Sequence, residues 1–260
     1  MNGHAWTCTL RVGCRWLVSG LVLVGLWLQT LAPARAAERV QVRPEVEAQV
    51  LQVIRDHPEV ILESLQAYQQ RLQREQSQRQ AAFLAQLQAN PAAMVADSPR
   101  LGSSSLRWVL LEFSDFQCPF CARAVATVQQ FVRQNPEVTL VFKHLPLSRI
   151  HPEAQAAARA AWAAQQQGQF WPYHDRLFAQ QERLGEALYL AIARELNLDL
   201  ARFERDRQRA DAAIERDLAQ ARELGVTGTP FFVLGGEVLE GAVDLPALQA
   251  ALKRGQAAAP

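Results

Sequence analysis

The sequence predicts an α/β fold: a strand–helix–strand unit, a long helical insertion, then two strands and a closing helix. A separate helical segment comes first. Three observations carry this. The apolar run "LRWVLLEF" (106–113) leads through "SDFQCPFC" into a helical pattern and then into "EVTLVFKHLPL" (137–147). Residues 151–224 then keep helical periodicity throughout. Finally "VTGTPFFVLGGEVLEGA" (226–242) reads as two strands joined at Gly235-Gly236, the commonest kind of hairpin signal.

The chain opens on an export-type segment. Residues 1–36 hold Arg11, Arg15 and Arg35 and no acid, and "WLVSGLVLVGLWL" (16–28) is an apolar core of suitable length. Ala34 and Ala36 give an Ala-x-Ala pattern, so cleavage is expected before Ala37 and the product in the periplasm. The competing reading is an uncleaved anchor, since Trp16 to Ala34 is uncharged and almost bilayer length. Its polar, Pro-broken end, "QTLAPARA", favours cleavage. The mature chain then carries 24 basic and 26 acidic residues, a balance that predicts no nucleic-acid partner. Cys8 and Cys14 leave with the leader, and Cys118 and Cys121 remain.

Residues 37–90 form the helical segment. Val46, Val50, Val53, Ile54, Ile61, Leu65, Tyr68 and Leu72 recur mostly at spacings of three, four and seven, with a break expected at His57-Pro58. Such a stripe must be covered. It is either a packing arm on the main domain or an oligomerisation stalk through residues 44–89. Residues 91–105 are rich in Pro, Ala, Gly and Ser and read as a linker. The near-continuous apolar run after it is what a buried central strand looks like. In the insertion, "HPEAQAAARAAWAAQQQG" is Ala-rich and stops at Gly168, and the charged run 202–217 reads as a solvated helix face. Trp162, Phe170, Trp171, His174 and Phe178 read as insertion core. Lys143 and His144 end the second strand, where they are candidates for the edge of the site. Asp244 caps the closing helix.

The two cysteines carry the chemistry. Thiolate is the reactive form, and Cys118 at a helix start, with Pro119 at the first helical position, meets uncovered N–H groups and the positive end of the helix dipole. Cys121 lies one turn on, on the same face, placed to resolve a mixed disulfide. A closed zinc site would want four ligands, and no second CxxC exists. No metal or other cofactor is expected for the redox reading. The rival that uses a metal is Cu(I) held by both thiolates, whose softness suits it.

With "LLEFSDFQCPFCAR", "GQFWPYHDRLF" and "GVTGTPFFVLGGEVLEGAV", the chain over 106–254 resembles the exported thioredoxin-fold thiol–disulfide oxidoreductases of the DsbA type. The resemblance implies a thioredoxin fold with a helical domain inserted at about 151–224. It implies a redox-active Cys118–Cys121 disulfide and a cis-proline at Pro230 beside it. It implies that Thr229 offers backbone groups to a substrate strand, with Pro119 and Phe120 at the substrate edge, and that Glu112 is a buried acid exchanging a proton with Cys121. "IRDHPEVILESLQAYQQRLQ" is similar to the helical leader of the ScsC-type branch, proteins associated with copper tolerance, some of which oligomerise and isomerise disulfides. Pro119-Phe120 departs from the prototype's Pro-His and lacks its positive charge, and Thr229 resembles the isomerase branch. The expected activity is exchange or isomerisation of disulfides in exported proteins, with a membrane redox partner. A monomeric DsbA-like oxidase is the alternative.

Overall fold

The computed structural model describes residues 43–258. The leader, its cleavage point, Cys8 and Cys14 lie outside the described residues. The chain divides into two units at Ser64 and Leu65. The first holds α1 (Pro44–Asp56) and the opening of α2 (Glu59–Ala89). His57 ends α1, as the following proline requires. Val50, Leu51, Val53, Ile54, Val60, Ile61 and Leu62 are all exposed here.

In the second unit a five-stranded sheet has the order β1-β3-β2-β4-β5. The strands are β1 (Arg100–Gly102), β2 (Trp108–Ser114), β3 (Val138–His144), β4 (Phe231–Leu234) and β5 (Glu237–Glu240). β2 and β3 run parallel, joined through α4 (Pro119–Gln134), and the other neighbours are antiparallel. Both central strands are buried along nearly their whole length, which explains their continuous apolar runs. Alternation divides their side chains between two layers. Leu110, Leu140, Phe232 and Leu234 pack on α4 and on α10 (Leu245–Ala258). Leu111, Phe113, Val141, Phe231 and Val233 pack with Phe83 and Leu87 of α2 and with Ala221 and Leu224 of α9 (Asp211–Leu224). Gly235 and Gly236 sit at φ 61° and 83°, as a tight hairpin demands. α10 passes so close that a Cβ on Gly235 would meet the Ala251 carbonyl.

Two sequence expectations need correction. The 91–105 stretch is more than a linker. It contains α3 (Pro91–Val95), capped by the Asn90 side chain on the Ala93 N–H with Pro91 at the first turn, and then β1, which pairs with β3. The helices of 151–224 do not all belong to one insertion core. α5 (Ala154–Gln165), α6 (Phe170–Ala179), α7 (Glu186–Glu195) and α8 (Leu200–Arg207) contribute to one shared core, whereas α9 lies on the sheet.

Candidate active site

Cys118 is the N-cap of α4, in extended conformation, and Pro119 takes the first helical position. Both cysteines are free thiols in the structure. Cys118 is 4% exposed and Cys121 fully buried, while Pro119 and Phe120 beside them face solvent. The Cys118 thiol donates to the Thr229 carbonyl at 3.3 Å, bringing together groups 111 residues apart. The Thr229–Pro230 bond is cis, Pro230 is buried, and the loop they form precedes β4.

The electrostatics separate the two sulfurs. Cys118 is pulled down to about 5. The facing Cys121 thiol contributes most, and Thr229 and the N–H groups of Cys121 and Phe120 add to it against the opposing effect of burial. Cys121 is pushed far above the ordinary thiol range, first by burial and then because it serves Cys118 as a donor. A charge shared by two facing sulfurs settles on the one at the helix start.

Glu112 of β2 is only 2% exposed, with Oε1 unpartnered. Burial raises its carboxyl to about 7, which Ser114 partly offsets. Alternation puts Glu112 and Ser114 on the α4 side of β2, the side on which Cys121 stands. The Ser114 side chain is within reach of both the Glu112 carboxyl and the Cys121 thiol. A buried carboxyl half-ionised near neutrality, sharing Ser114 with a thiol that must lose a proton, is suited to general base work.

Sequence reasoning missed several supporting residues. Asp115, 2% exposed, accepts from the Gln117 and Leu147 N–H groups at 2.8 and 2.9 Å and contacts His151 Nδ1 at 2.8 Å. It thereby ties the turn before Cys118 to the loop after β3, and its own N–H points at Cys121 Sγ at 3.5 Å. The signal was an Asp three residues before a helix cap, a position suited to turn hydrogen bonding. Gln181 donates to the Phe116 and Cys118 carbonyls at 2.8 and 3.0 Å, anchoring the insertion to the cysteine turn. Phe120 is half exposed, and the Arg123 guanidinium stands 4.3 Å from its ring centre.

Lys143 does not edge the site. It faces the opposite side of the sheet, buried, with Nζ 3.2 Å from Asp217 of α9 and donating to the Met94 carbonyl at 3.0 Å. Asp217 also accepts the His144 N–H, so the 202–217 run is not wholly a solvated face. His144 and His174 are buried, and Phe170 and Phe178 share a core with both cysteines.

The geometry matches known proteins. Residues 109–253 fit the DSBA-like thioredoxin domain family. A thioredoxin-like oxidoreductase from Silicibacter pomeroyi is 36% identical, covering 65% of this chain and 99% of its own, with a TM-score of 0.61. ScsC from Proteus mirabilis, in a transitional conformation, is 28% identical and covers 82% and 96%, with a TM-score of 0.58. A protein named Na(+)/H(+) antiporter NhaA 3, from Salinispora tropica, is 41% identical over 146 residues, which are 55% of this chain and 22% of that protein. The chain thus spans about a fifth of the length of that curated relative. With the family fit covering more than half of its residues, the chain belongs to the DSBA-like thioredoxin domain family.

Proposed function

We propose that this protein is a periplasmic thiol–disulfide oxidoreductase that exchanges or isomerises disulfides in exported proteins. One observation carries the reading: a helix-capping thiol held near 5 faces a buried second thiol across one turn, against a Thr–cis-Pro loop. Cys118 attacks a substrate disulfide as thiolate. Cys121, giving its proton towards Glu112, or a second substrate thiol then releases the mixed disulfide. The oxidised pair runs the reverse course, and a membrane redox partner resets it.

The exchange or isomerase form gains support from the first unit. Its apolar side chains stand exposed from Val50 to Leu62, and a second copy of the chain is the occupant this reading assigns them. The likeness to ScsC over most of both chains supports the same branch. The export-type leader supports the location.

The test is reduction of insulin and reactivation of a scrambled multi-disulfide protein by the mature chain. Both are expected to require Cys118, and the reactivation also the residues before Leu65. Light scattering with and without residues 38–64 is expected to show a fall in mass on truncation. The cut stops there because Phe83 and Leu87 belong to the core of the second unit. Insulin reduction that survives Cys118→Ser overturns the enzyme reading. A monomeric mature chain leaves the oxidase form in its place.

A further inference from the structure

Resolution of a mixed disulfide needs more than an acceptor for the Cys121 proton. Glu112 is sealed from water, so the proton must also travel. Among the described residues, four further buried polar atoms near this floor have no hydrogen-bond partner: Ser114 Oγ, His144 Nδ1 and Nε2, and His174 Nε2. Leaving such groups unpaired costs about 1–3 kcal/mol each, so their grouping asks for a reason. They form a row. Ser114 follows Glu112 by two positions on the same side of β2. His144 is the residue paired with Ser114 across the parallel ladder, on the same side of the sheet. The rings of His144 and His174 both pack on Phe116, Phe142 and Phe170. His174 Nδ1 lies 2.9 Å from the carboxylate of Asp175, whose side chain is 52% exposed.

We propose that Ser114, His144 and His174 form a buried proton conduit that joins the Cys121–Glu112 floor to solvent at Asp175. The proposal rests on the thiol–disulfide reading above. The S–H bond of Cys121 breaks as its proton passes to the Ser114 hydroxyl, which hands its own proton on to the Glu112 carboxylate or to His144. The freed electron pair on Cys121 attacks the Cys118 sulfur. The Cys118–Cys121 bond forms, the bond from Cys118 to the substrate sulfur breaks, and that sulfur leaves as a thiolate. The enzyme dithiol is oxidised, the substrate disulfide is reduced, and one proton exits through the histidines.

The tautomers suit this direction. A carboxylate can only accept at this 2.9 Å contact, which favours the tautomer with the proton on His174 Nδ1 and a lone pair on the buried Nε2. Burial, Lys143 and His174 bring His144 down to about 3, so it rests neutral and passes protons without storing them. The ionisable groups around it are Glu112 of β2, Cys121 of α4, His174 of α6, Lys143 of its own strand and Asp217 of α9. The last two neutralise each other at 3.2 Å on the far side of the sheet.

The test uses the reduced mature protein and Ellman's reagent. Attack by Cys118 releases one nitrothiobenzoate and leaves the second bound as a mixed disulfide, and attack by Cys121 releases that one. The released chromophore therefore reports two phases in stopped flow. Ser114→Ala and His144→Phe are each expected to slow the second phase by about a hundredfold, with the first phase unchanged. Ser114→Thr, which keeps the hydroxyl, is expected to restore it. The proposal is overturned by a second phase within twofold of wild type in either alanine or phenylalanine variant, or by equal slowing of both phases. If His144→Phe does not fold, the comparison of Ser114→Ala with Ser114→Thr decides. A wild-type protein without the first phase refutes the Cys118 reading itself, whereas a normal first phase with an unaffected second sinks the conduit alone.

Discussion

The rim of the site around Cys118 and its floor around Cys121 lie one helical turn apart, at 4% and 0% exposure, yet their acidities move in opposite directions. Burial dominates at Cys121, whereas at Cys118 it is outweighed by donors. At the rim the first uncovered N–H groups of α4 and the Thr229 loop converge on one sulfur, whereas the floor offers an unpartnered carboxyl and apolar walls. A helix start steadies an anion only within its first turn, so moving a thiol a single turn inward turns it from nucleophile to reserve.

The hardest blow to this contrast is to delete each sulfur in turn. Cys118→Ser is expected to remove disulfide exchange by at least about a thousandfold, since a serine hydroxyl is a poor nucleophile at neutral pH. Cys121→Ser is expected to keep the first attack and to accumulate mixed disulfide with substrate, visible by mass spectrometry. Equal losses from both variants would mean that the two sulfurs share one role.

Acidity sharpens the same contrast. Alkylation of Cys118 by iodoacetamide is expected to stay flat from about pH 6 upward and to fall about tenfold per unit below pH 5. Stability follows. The native pKa of Cys118 lies below that of the unfolded chain, so the unfolded state binds more protons between the two. The stability difference between reduced wild type and Cys118→Ser therefore grows as pH rises from about 5 to about 9, by up to about 1.4 kcal/mol per unit, and vanishes below 5. Denaturant melts across that range check it. Glu112 works in the opposite sense. Its carboxyl is raised to about 7, so the stability it contributes is whole below the ordinary carboxylate range and is lost as pH climbs to 7.

Much of the rim was legible in the sequence. A continuous apolar strand, a Cys-Pro cap and a Thr-Pro before a strand are local patterns, and the structure has Cys118 as N-cap and a cis bond at Pro230. The floor and its supports were less so, because they depend on partners far along the chain. Asp217 looks like one more charge in a polar helix until α9 sets it against Lys143, 74 residues away. β1 is three residues of ordinary composition whose strand character comes from β3. Phe83 and Leu87 follow the apolar stripe along α2, whose periodicity does not say where it is covered, and they enter the core while Val50 to Leu62 do not.

Glu112→Gln separates the two steps of exchange at the floor. The amide keeps the shape and removes the base, so resolution by Cys121 is expected to slow by about a hundredfold while the attack by Cys118 stays within twofold. At pH 8 the variant is also expected to be more stable by up to about 3 kcal/mol, because an ionised buried carboxylate no longer has to be accommodated. Lower stability would show that the carboxylate is paired in the folded protein.

The smallest expected effect is at Thr229, and it tests the rim most finely. Its hydroxyl is buried with no partner, while its carbonyl accepts from the Cys118 thiol. When Cys118 ionises, the carbonyl loses its donor and the hydroxyl can become one, so the same residue serves both protonation states with different atoms. Thr229→Val keeps the shape and the carbonyl and removes only the second service. A hydrogen bond to a charged group is worth about 1.5–3 kcal/mol, and one pKa unit about 1.36, so Cys118 is expected to rise by about one unit. Thiolate ultraviolet absorbance against pH measures this. An unmoved titration would assign the acidity of Cys118 to the helix start and to Cys121 alone, and Thr229 would then matter only through its backbone.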